Sequence, residues 1–299
     1  MDGTGARRAV AADGDVGSPL APAGGLSQCS FMALDDIRAR FRDLHTAGTF
    51  LMPNAFDPGS CRLLEELGFP ALATTSGGFA TSKGRMDMTV GRRELVEHVA
   101  SLTAVTDLPV NVDSEQCFPE GDGGVAATVR HLARAGASGC SIEDWNPKRA
   151  MIEALDVATQ RVATAVAAAE GEGMVLTARA ENHLRGHDDL DDTIARLRAF
   201  RDAGAHVVYA PALPDTSAVA RVVEEVGGAV NVLLMPGGPS RRELAELGVR
   251  RLSVGGALAR VAYGSMYQAA RQLLDSGSLP TDAAYLSREV AEGSFTGAG

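Results

Sequence analysis

Short apolar runs alternate with longer amphipathic segments along the chain from residue 49 to residue 253. The short runs have the length of buried β-strands. In the longer segments apolar residues recur every three or four positions, as on one face of a helix. The predicted strands are residues 49–52, 71–74, 110–112, 139–142, 175–178, 206–209, 231–234 and 251–253. The predicted helices between them include residues 59–67, 91–104, 124–135, 156–169, 190–203, 216–226 and 241–247.

Eight strands that alternate with helices predict one α/β domain with the (β/α)8 architecture of a TIM barrel. Several predicted helices end in a glycine just before the next strand, where glycine fits the left-handed conformation that terminates a helix. The alternative is an open doubly wound sheet, which usually carries a glycine fingerprint after its first strand. Residues 52–57 read MPNAFD at that position, without a glycine. We therefore favour the barrel.

The two ends of the chain lack this pattern. Residues 1–33 are rich in Gly, Ala and Pro and predict a flexible tail without the apolar core of a secretory signal. The barrel domain is predicted to span residues 34–278, beginning with a short helix and ending with a long helix over residues 257–274 that carries several small residues. Residues 279–299 are polar and weakly patterned, and are predicted to form a C-terminal tail.

Composition narrows the class of protein. The 299 residues carry a formal net charge of −10, which argues against a nucleic-acid surface because such a surface requires a basic stripe. No apolar run approaches the roughly 18–20 residues that span a membrane. The four cysteines are scattered without a CxxC pair, which favours a reducing compartment over a disulfide framework or a thiolate zinc site. We therefore expect a cytoplasmic protein.

Acidic residues gather where predicted strands end, and in a barrel those ends form the active site. Asp113 and Glu115 lie two positions apart after the third strand, so they project to the same side. Glu143 and Asp144 end the fourth strand, and Asp87 lies in the loop after the second. Carboxylate oxygens from several strand ends suit Mg²⁺ or Mn²⁺ with open positions for substrate oxygens. A divalent metal site is therefore predicted.

Candidate substrate-binding groups follow the first and second predicted strands. The small residues after the second strand could cradle a carboxylate or phosphate with backbone N–H groups and hydroxyls; the alternative is a plain tight turn. The candidates at these two strand ends are Asn54, Asp57, Thr75, Ser76, Gly77 and Gly78.

Arg179 leaves the fifth predicted strand and enters the same acidic region. A guanidinium there could bind a substrate carboxylate with two parallel hydrogen bonds. The alternative is a structural ion pair with Glu143 or Glu181. A metal and Arg179 together would stabilise the negative charge that develops on a 2-oxo acid, which suits enolate chemistry.

These residues resemble the isocitrate lyase/phosphoenolpyruvate mutase superfamily, and the overall pattern is most similar to its short-loop branch. The similarity runs from about residue 41 to residue 274. It is carried by the order and spacing of PNAFD at residues 53–57, TSGG at 75–78, GRMD at 84–87, DSE at 113–115, IED at 142–144 and TAR at 177–179.

The resemblance implies a barrel that exchanges its last helix with a neighbouring subunit, giving homodimers or homotetramers. It also implies Mg²⁺ held by acids largely through water. Asp113 matches the central metal ligand, and the acids that match holders of its waters are Asp87, Glu115 and Glu143. The carboxylate cradle is matched by residues 76–78, and the substrate-binding arginine by Arg179.

Two departures from the family pattern bear on activity. Residues 144–150 replace the Lys-Lys-Cys-Gly-His loop of the lyases and contain neither cysteine nor histidine, so isocitrate or methylisocitrate cleavage is not expected. Lys148 lies near the position of a gating-loop lysine of the mutase and hydrolase branches, or is simply solvated. The usual Gly-Tyr-Gly after the third strand is absent. Cys117 could replace the missing thiol acid there, although free cysteine is more often buried and inert.

Three functions remain open. The first is a Mg²⁺-dependent lyase that cleaves a C–C bond of a small 2-oxo or 2-hydroxy carboxylic acid through an enolate. The second is a phosphonopyruvate or phosphoenolpyruvate type of mutase or hydrolase acting at phosphorus, with Lys148 against the phosphoryl group. The third is a barrel that binds a 2-oxo acid without chemistry. The fold alone does not choose among them.

Overall fold

The computed structural model describes residues 32–295, so almost all of the predicted N-terminal tail lies outside the described residues. The strands are β1 Phe50–Met52, β2 Leu72–Ala73, β3 Val110–Asp113, β4 Gly139–Glu143, β5 Trp145–Asn146, β6 Met151–Ile152, β7 Val175–Arg179, β8 Val207–Tyr209, β9 Ala229–Leu233 and β10 Arg251–Ser253. The α-helices are α1 Leu34–Leu44, α2 Pro58–Glu66, α3 Ser76–Ser82, α4 Arg92–Thr103, α5 Gly124–Arg134, α6 Leu155–Gly171, α7 Leu190–Asp202, α8 Thr216–Val226, α9 Arg241–Glu246, α10 Ala257–Ser276 and α11 Arg288–Phe295, and His183–Arg185 form a 3-10 turn.

Eight parallel strands form the predicted barrel. Their order is β1-β10-β9-β8-β7-β4-β3-β2, while β5 and β6 pair as a separate antiparallel hairpin. Between β1 and β2 the contact is a single bridge, Asn54 to Ala73, in which the Ala55 N–H donates to the Ala73 carbonyl at 2.7 Å. This narrow seam nearly closes the ring, which confirms the TIM barrel and excludes the open sheet.

The barrel interior changes from apolar to polar along its axis. The N-terminal end is covered by α1, whose Phe41 is fully buried against Phe50 and Val175. On β7 the inward-facing positions run from Val175 through Thr177 to Arg179, so the chain becomes polar towards the C-terminal ends of the strands. The larger apolar core lies outside the ring, between the strands and the helices. The fold therefore leaves its polar groups at one end.

One helix lies outside the predicted barrel pattern, and the predicted helix ends are confirmed. Helix α11 forms within the weakly patterned residues 279–299 and packs against α2. The glycines predicted to end helices do adopt the left-handed conformation, as at Gly204, where φ is +98° and a Cβ would lie 2.8 Å from Val166. Within residues 32–295 no helix has the length and apolar character needed to cross a bilayer.

Two histidines, the buried His98 and the half-buried His45, should make the fold sensitive to acid. His98 stacks on Phe79 with ring centroids 3.8 Å apart, and His45 donates from Nδ1 to the Phe41 carbonyl. Burial lowers the pKa of His98 to about 4, and burial together with Arg251 lowers the pKa of His45 to about 3. Both histidines therefore bind protons near pH 6.5 in the unfolded chain but only at lower pH in the folded chain.

We expect the free energy of unfolding to fall as the pH drops from about 6.5 to about 4, with about 3 kcal/mol of the loss due to His98 alone. Denaturant unfolding measured at several pH values checks this. His98→Phe should make the loss smaller by that amount, while His187→Gln, at an exposed position, should leave it unchanged. An equal pH dependence in His98→Phe and the parent protein would contradict the assignment.

Candidate active site

A cavity of about 630 Å³ opens at the C-terminal ends of the barrel strands, with α10 forming part of its wall. The barrel brings most of the sequence-predicted site residues into this wall. Those that line it are Asn54, Thr75, Ser76, Gly77, Gly78, Asp87, Asp113, Glu143 and Arg179. Among the described residues that line it there is neither a cysteine nor a histidine.

Asp113, the last residue of β3, lies between Arg179 and the start of α3. One carboxylate oxygen accepts a hydrogen bond from Arg179 Nη1 at 2.8 Å. The other accepts from both the backbone N–H and the hydroxyl of Ser76, each at 3.0 Å. The Asp113 N–H itself donates to Thr74 Oγ1 at 2.9 Å. The carboxylate is therefore fixed in orientation, while its side chain remains 20% exposed.

Arg179 is held by three carboxylates. Besides Asp113, its Nη2 lies 2.7 Å from Glu181 Oε1 and 3.3 Å from Glu143 Oε2, and its Nε also donates to Glu181 at 3.0 Å. Burial alone would lower the pKa of Arg179, but these carboxylates raise it well above its usual value. Its guanidinium lies over the Tyr209 ring at 5.3 Å. The ion pairs that were the alternative interpretation are thus present, within the cavity wall.

The predicted metal-binding acids lie close enough to repel one another. Burial, then Asp113 and Asp87, raise the pKa of Glu115 to about 8. Burial and then Glu181 raise the pKa of Glu143 well above its usual range. Within residues 32–295, Glu143 Oε1 makes no hydrogen bond and has only a 3.9 Å ion pair with Arg185. The group is therefore rich in hard oxygen donors and short of positive charge.

These acids do not form a closed set of direct ligands. In the described part of the chain, no three His, Cys, Asp or Glu side chains are placed to hold an ion together. Glu115 is buried and does not line the cavity, and it has a left-handed φ of +50°. An arrangement of separated carboxylates suits a hydrated cation reached through water, because Mg²⁺ keeps several of its waters when it binds proteins.

The small-residue turn is the beginning of α3. Thr75 caps the helix by accepting from the Gly78 N–H at 3.2 Å. A Cβ on Gly78 would lie 3.2 Å from Ala259 of α10, and one on Gly77 would lie 3.3 Å from an Asp87 carboxylate oxygen. Glycine is therefore needed for a helix and an acidic loop to approach this turn closely.

Asn54 has a structural place in the cavity wall. Its Nδ2 donates to the Thr74 carbonyl at 2.6 Å, and its Oδ1 accepts from the N–H groups of Val254 and Gly255 at 3.0 and 2.9 Å. One side chain thus links the ends of β1 and β2 to the loop before α10.

Besides Glu115, three predicted residues are not brought to the cavity. Asp57 is the N-cap of α2, where its side chain accepts from the Ser60 N–H at 2.7 Å, because a carboxylate satisfies the free amides of a helix start. Cys117 is fully buried, and its Sγ lies 3.2 Å from Ser114 Oγ. Lys148 is exposed and pairs with Glu120 in a separate surface depression.

Four residues outside the predicted set complete the site. Glu181 is fully buried, and its backbone N–H donates to Asp144 Oδ1 at 2.9 Å, which fixes the acid that holds Arg179. Arg185 stacks over Trp145 at 4.3 Å and lines the cavity together with Tyr209 and Arg251. The sequence had named Glu181 only as a possible ion-pair partner of Arg179, and the structure shows that pair. The other three carry no motif, since only the closed barrel places them here.

A parallel eight-stranded barrel with carboxylates and a buried arginine at the C-terminal strand ends has the arrangement of a TIM-barrel active site. Residues 41–274 match the family described as phosphoenolpyruvate phosphomutase. The chain therefore belongs to this family, within the isocitrate lyase/phosphoenolpyruvate mutase superfamily, as the sequence motifs predicted.

Similar proteins of known structure or name agree with this placement. A putative lyase/mutase from Burkholderia cenocepacia J2315 superposes with a TM-score of 0.82 at 46% identity, over 87% of this chain and 95% of that one. Oxaloacetate decarboxylase of Paraburkholderia xenovorans is 33% identical over 76% of this chain and 78% of its own length. A 2,3-dimethylmalate lyase superposes with a TM-score of 0.77 at 25% identity, over 86% and 94% of the two chains. The homologues include proteins named as lyases and as a decarboxylase, and the chain is an enzyme of this superfamily.

Proposed function

We propose that the protein is a Mg²⁺-dependent lyase that cleaves a C–C bond of a small 2-oxo or 2-hydroxy carboxylic acid through an enolate. The observation that carries the proposal is the fixed contact of Asp113 with Arg179 and with the N-terminus of α3. The Asp113 carboxylate, the Arg179 guanidinium and the first amides of α3 therefore lie together in the wall of one cavity. Relatives named as lyases and as an oxaloacetate decarboxylase support this reaction class.

The donor set in the cavity fits a magnesium ion. Asp113 is proposed as its central ligand, with Asp87 and Glu143 of the cavity wall holding its waters, whereas Glu115, buried outside the cavity lining, is not assigned a water. Two features support a bound cation: within the described residues Glu143 Oε1 accepts no hydrogen bond, and these acids repel one another, which a divalent charge would offset. When bound, the ion supplies Lewis-acid stabilisation of negative charge on a substrate oxygen.

The chain's own residues have distinct tasks in this proposal. Residues 76–78 line the cavity at the start of α3 and are proposed to face the substrate carboxylate. The Ser76 and Gly78 N–H groups already donate to Asp113 and Thr75, which leaves the Gly77 N–H as the amide proposed to meet this carboxylate. Arg179 is proposed to lie beside the 2-oxygen of the substrate. When a 2-oxo acid loses its C4 carboxylate as CO2, the electron pair of the broken C3–C4 bond passes to this oxygen as an enolate. When a 2-hydroxy acid is cleaved, the hydroxyl first loses its proton, its oxygen becomes the carbonyl of one product, and the electron pair of the broken C–C bond remains on the other product as the enolate. In both cases Arg179 meets negative charge on the 2-oxygen. A guanidinium fixed in advance by Glu181 needs no reorganisation as this charge appears. With Cys117 outside the cavity, we do not assign the thiol a proton-transfer role.

Chemistry at phosphorus is the competing reaction within the family. A putative phosphonomutase from Burkholderia cenocepacia is 32% identical over 82% of this chain. Lys148, the group proposed to hold a phosphoryl oxygen, lies outside the cavity and is paired with Glu120. The geometry therefore favours the C–C lyase, and we keep the phosphonates as an arm of the test.

The proposal is tested by thermal melting with a panel of 2-oxo, 2-hydroxy and phosphono acids, each with Mg²⁺ and with EDTA. A ligand of the folded state raises the melting temperature by mass action, so a hit appears before the reaction is known. We expect Mg²⁺-dependent shifts with oxaloacetate-like or malate-like acids, followed by product analysis of the hits. If only phosphonates raise the melting temperature, chemistry at phosphorus is favoured instead. If the rise is the same in EDTA as in Mg²⁺, the proposed metal site is contradicted.

We also propose that the protein is a homodimer or homotetramer assembled through α10. In the described chain Ala259 is the buried residue of this twenty-residue helix, and large apolar side chains such as Val261, Met266 and Leu274 are 64%, 62% and 85% exposed. A long apolar face left in water marks an interaction surface. The same helix lines the cavity with Tyr263 and Arg260.

Light scattering after size exclusion should therefore give a mass of two or four chains. Val261→Glu with Leu274→Glu should reduce it to one, because charges buried in an interface lack partners. Leu67→Glu, at a 73% exposed apolar residue outside α10, is the matched control and should leave the mass unchanged. A monomeric parent protein would contradict the proposal.

A further inference from the structure

We propose that Arg251, at the inner end of the cavity, binds a second carboxylate of the substrate, so that the enzyme selects dicarboxylic over monocarboxylic acids. This inference rests on the proposed function and extends it to a residue outside the family motifs. Arg179 and Arg251 line the same cavity but differ in their partners.

Arg251 is a buried cation without a counter-ion. It is 2% exposed and lines the cavity, yet its hydrogen-bond partners are all neutral. Nε donates to Asn231 Oδ1 at 2.9 Å, Nη2 donates to Thr177 Oγ1 at 2.9 Å, and Nη1 lies 3.3 Å from His45 Nε2. Among the ion pairs of the described residues, none involves this side chain. Burying an unpaired charge costs several kcal/mol of desolvation free energy. An anion bound in the cavity next to Arg251 would offset this cost.

The partners of Arg251 orient it without neutralising it. His45 already donates from Nδ1 to the Phe41 carbonyl, so its Nε2 accepts, and the ring stays neutral since burial lowers its pKa to about 3. Burial also lowers the pKa of Arg251 to about 9, which leaves the guanidinium charged at neutral pH. Three of its five N–H groups are used, and the rest can meet a carboxylate.

Arg179, in contrast, is committed to the carboxylates of Asp113, Glu143 and Glu181. Arg251 contacts Thr177, which lies two residues before Arg179 on the same face of β7. Alternate residues of a strand lie about 7 Å apart, so the two guanidinium groups bind at different depths. That separation suits a short dicarboxylic acid whose first carboxylate is held near the rim and whose second points inwards.

A second polar group at this depth lacks a partner. Asn111 lies two residues before Asp113 on β3, lines the cavity and is 4% exposed. Its buried Oδ1 makes no hydrogen bond within the described residues. A buried amide oxygen requires a donor, and a substrate hydroxyl or a water carried with the inner carboxylate supplies one. The inner end of the cavity is thus polar on two sides.

The test is calorimetric titration of malate and of 2-hydroxybutanoate in the presence of Mg²⁺. These acids share the 2-hydroxy carboxylate and differ in a terminal carboxylate against a methyl group. We expect the parent protein to bind malate at least about tenfold more tightly, the size of effect of a charge-assisted hydrogen bond. Arg251→Met should remove that preference and leave the affinity for 2-hydroxybutanoate unchanged. A retained preference, or an equal loss for both acids, overturns the proposal.

Two further arms keep the test decisive. If Arg251→Met does not fold, Arg251→Gln, which can still bond Asn231 without the charge, makes the same comparison. If the parent protein binds neither acid, the proposed function fails. Formate then tests Arg251 alone, as a carboxylate without the 2-hydroxy group. A formate-dependent rise in melting temperature that Arg251→Met abolishes supports the anion site, and an equal rise in both proteins overturns it.

Discussion

Asp113→Asn should lower kcat/KM for the substrate identified in the panel by about a thousandfold or more. The amide keeps the size of the side chain but removes the negative charge proposed to hold Mg²⁺, and it accepts poorly from Arg179 and Ser76 together. Losing one fixed group that stabilises developing charge typically costs a hundred- to a thousandfold in rate. The loss of the metal adds to this.

The measurement is steady-state kinetics across Mg²⁺ concentrations, with melting temperature as a second readout. Asp192→Asn is the matched control, because Asp192 pairs with Arg196 at 2.7 Å but does not line the cavity. It should stay within about threefold of the parent. Full turnover in Asp113→Asn would remove the metal assignment, since the other acids alone would then suffice.

Arg179→Lys should weaken substrate binding by about a hundredfold, even though the charge is kept. The guanidinium meets three carboxylates in different directions through a planar fork, whereas an ammonium is a point charge that cannot hold all of them. Each charge-assisted hydrogen bond contributes about 1.5–3 kcal/mol, so the loss of one is visible in a titration.

Arg38→Lys provides the comparison. Arg38 is also buried and donates to three backbone carbonyls, but it lies on α1 at the opposite end of the barrel. It should lower the melting temperature and leave ligand affinity unchanged. If both variants lost only stability and bound ligand equally, Arg179 would be a structural residue and the ion-pair interpretation would stand.

Periodicity predicted the fold well because each barrel strand is buried on both faces and each helix carries one apolar stripe. The predicted strands match β1 to β4 and β7 to β10 within a residue or two. The small β5–β6 hairpin was missed, since two-residue strands leave no period to detect. Helix α11 was missed for a related reason, because its eight residues carry few apolar positions.

The site was predictable where a motif carries the residue. Asp113 and Arg179 end strands, so the barrel had to bring them together. Cys117 shows the limit. Spacing from Glu115 suggested that it faces the cavity, but the chain turns through left-handed φ values at residues 115, 117 and 118, and extended-strand alternation no longer applies. Arg251 shows the opposite case, since a lone arginine at the start of a strand usually faces solvent.

The bridge between Asn54 and Ala73, which closes the ring between β1 and β2, is also part of the cavity wall. The gap between β1 and β2 is crossed by a few backbone bonds and by one side chain that also holds the loop before α10. Opening the ring there would pull the cavity wall apart, so an occupied cavity opposes the opening. Hydrogen exchange of the Ala55 and Ala73 amides should therefore slow when a ligand fills the cavity. The contact between β1 and β2, which has the fewest hydrogen bonds in the ring, would then be the one that ligand binding stabilises most.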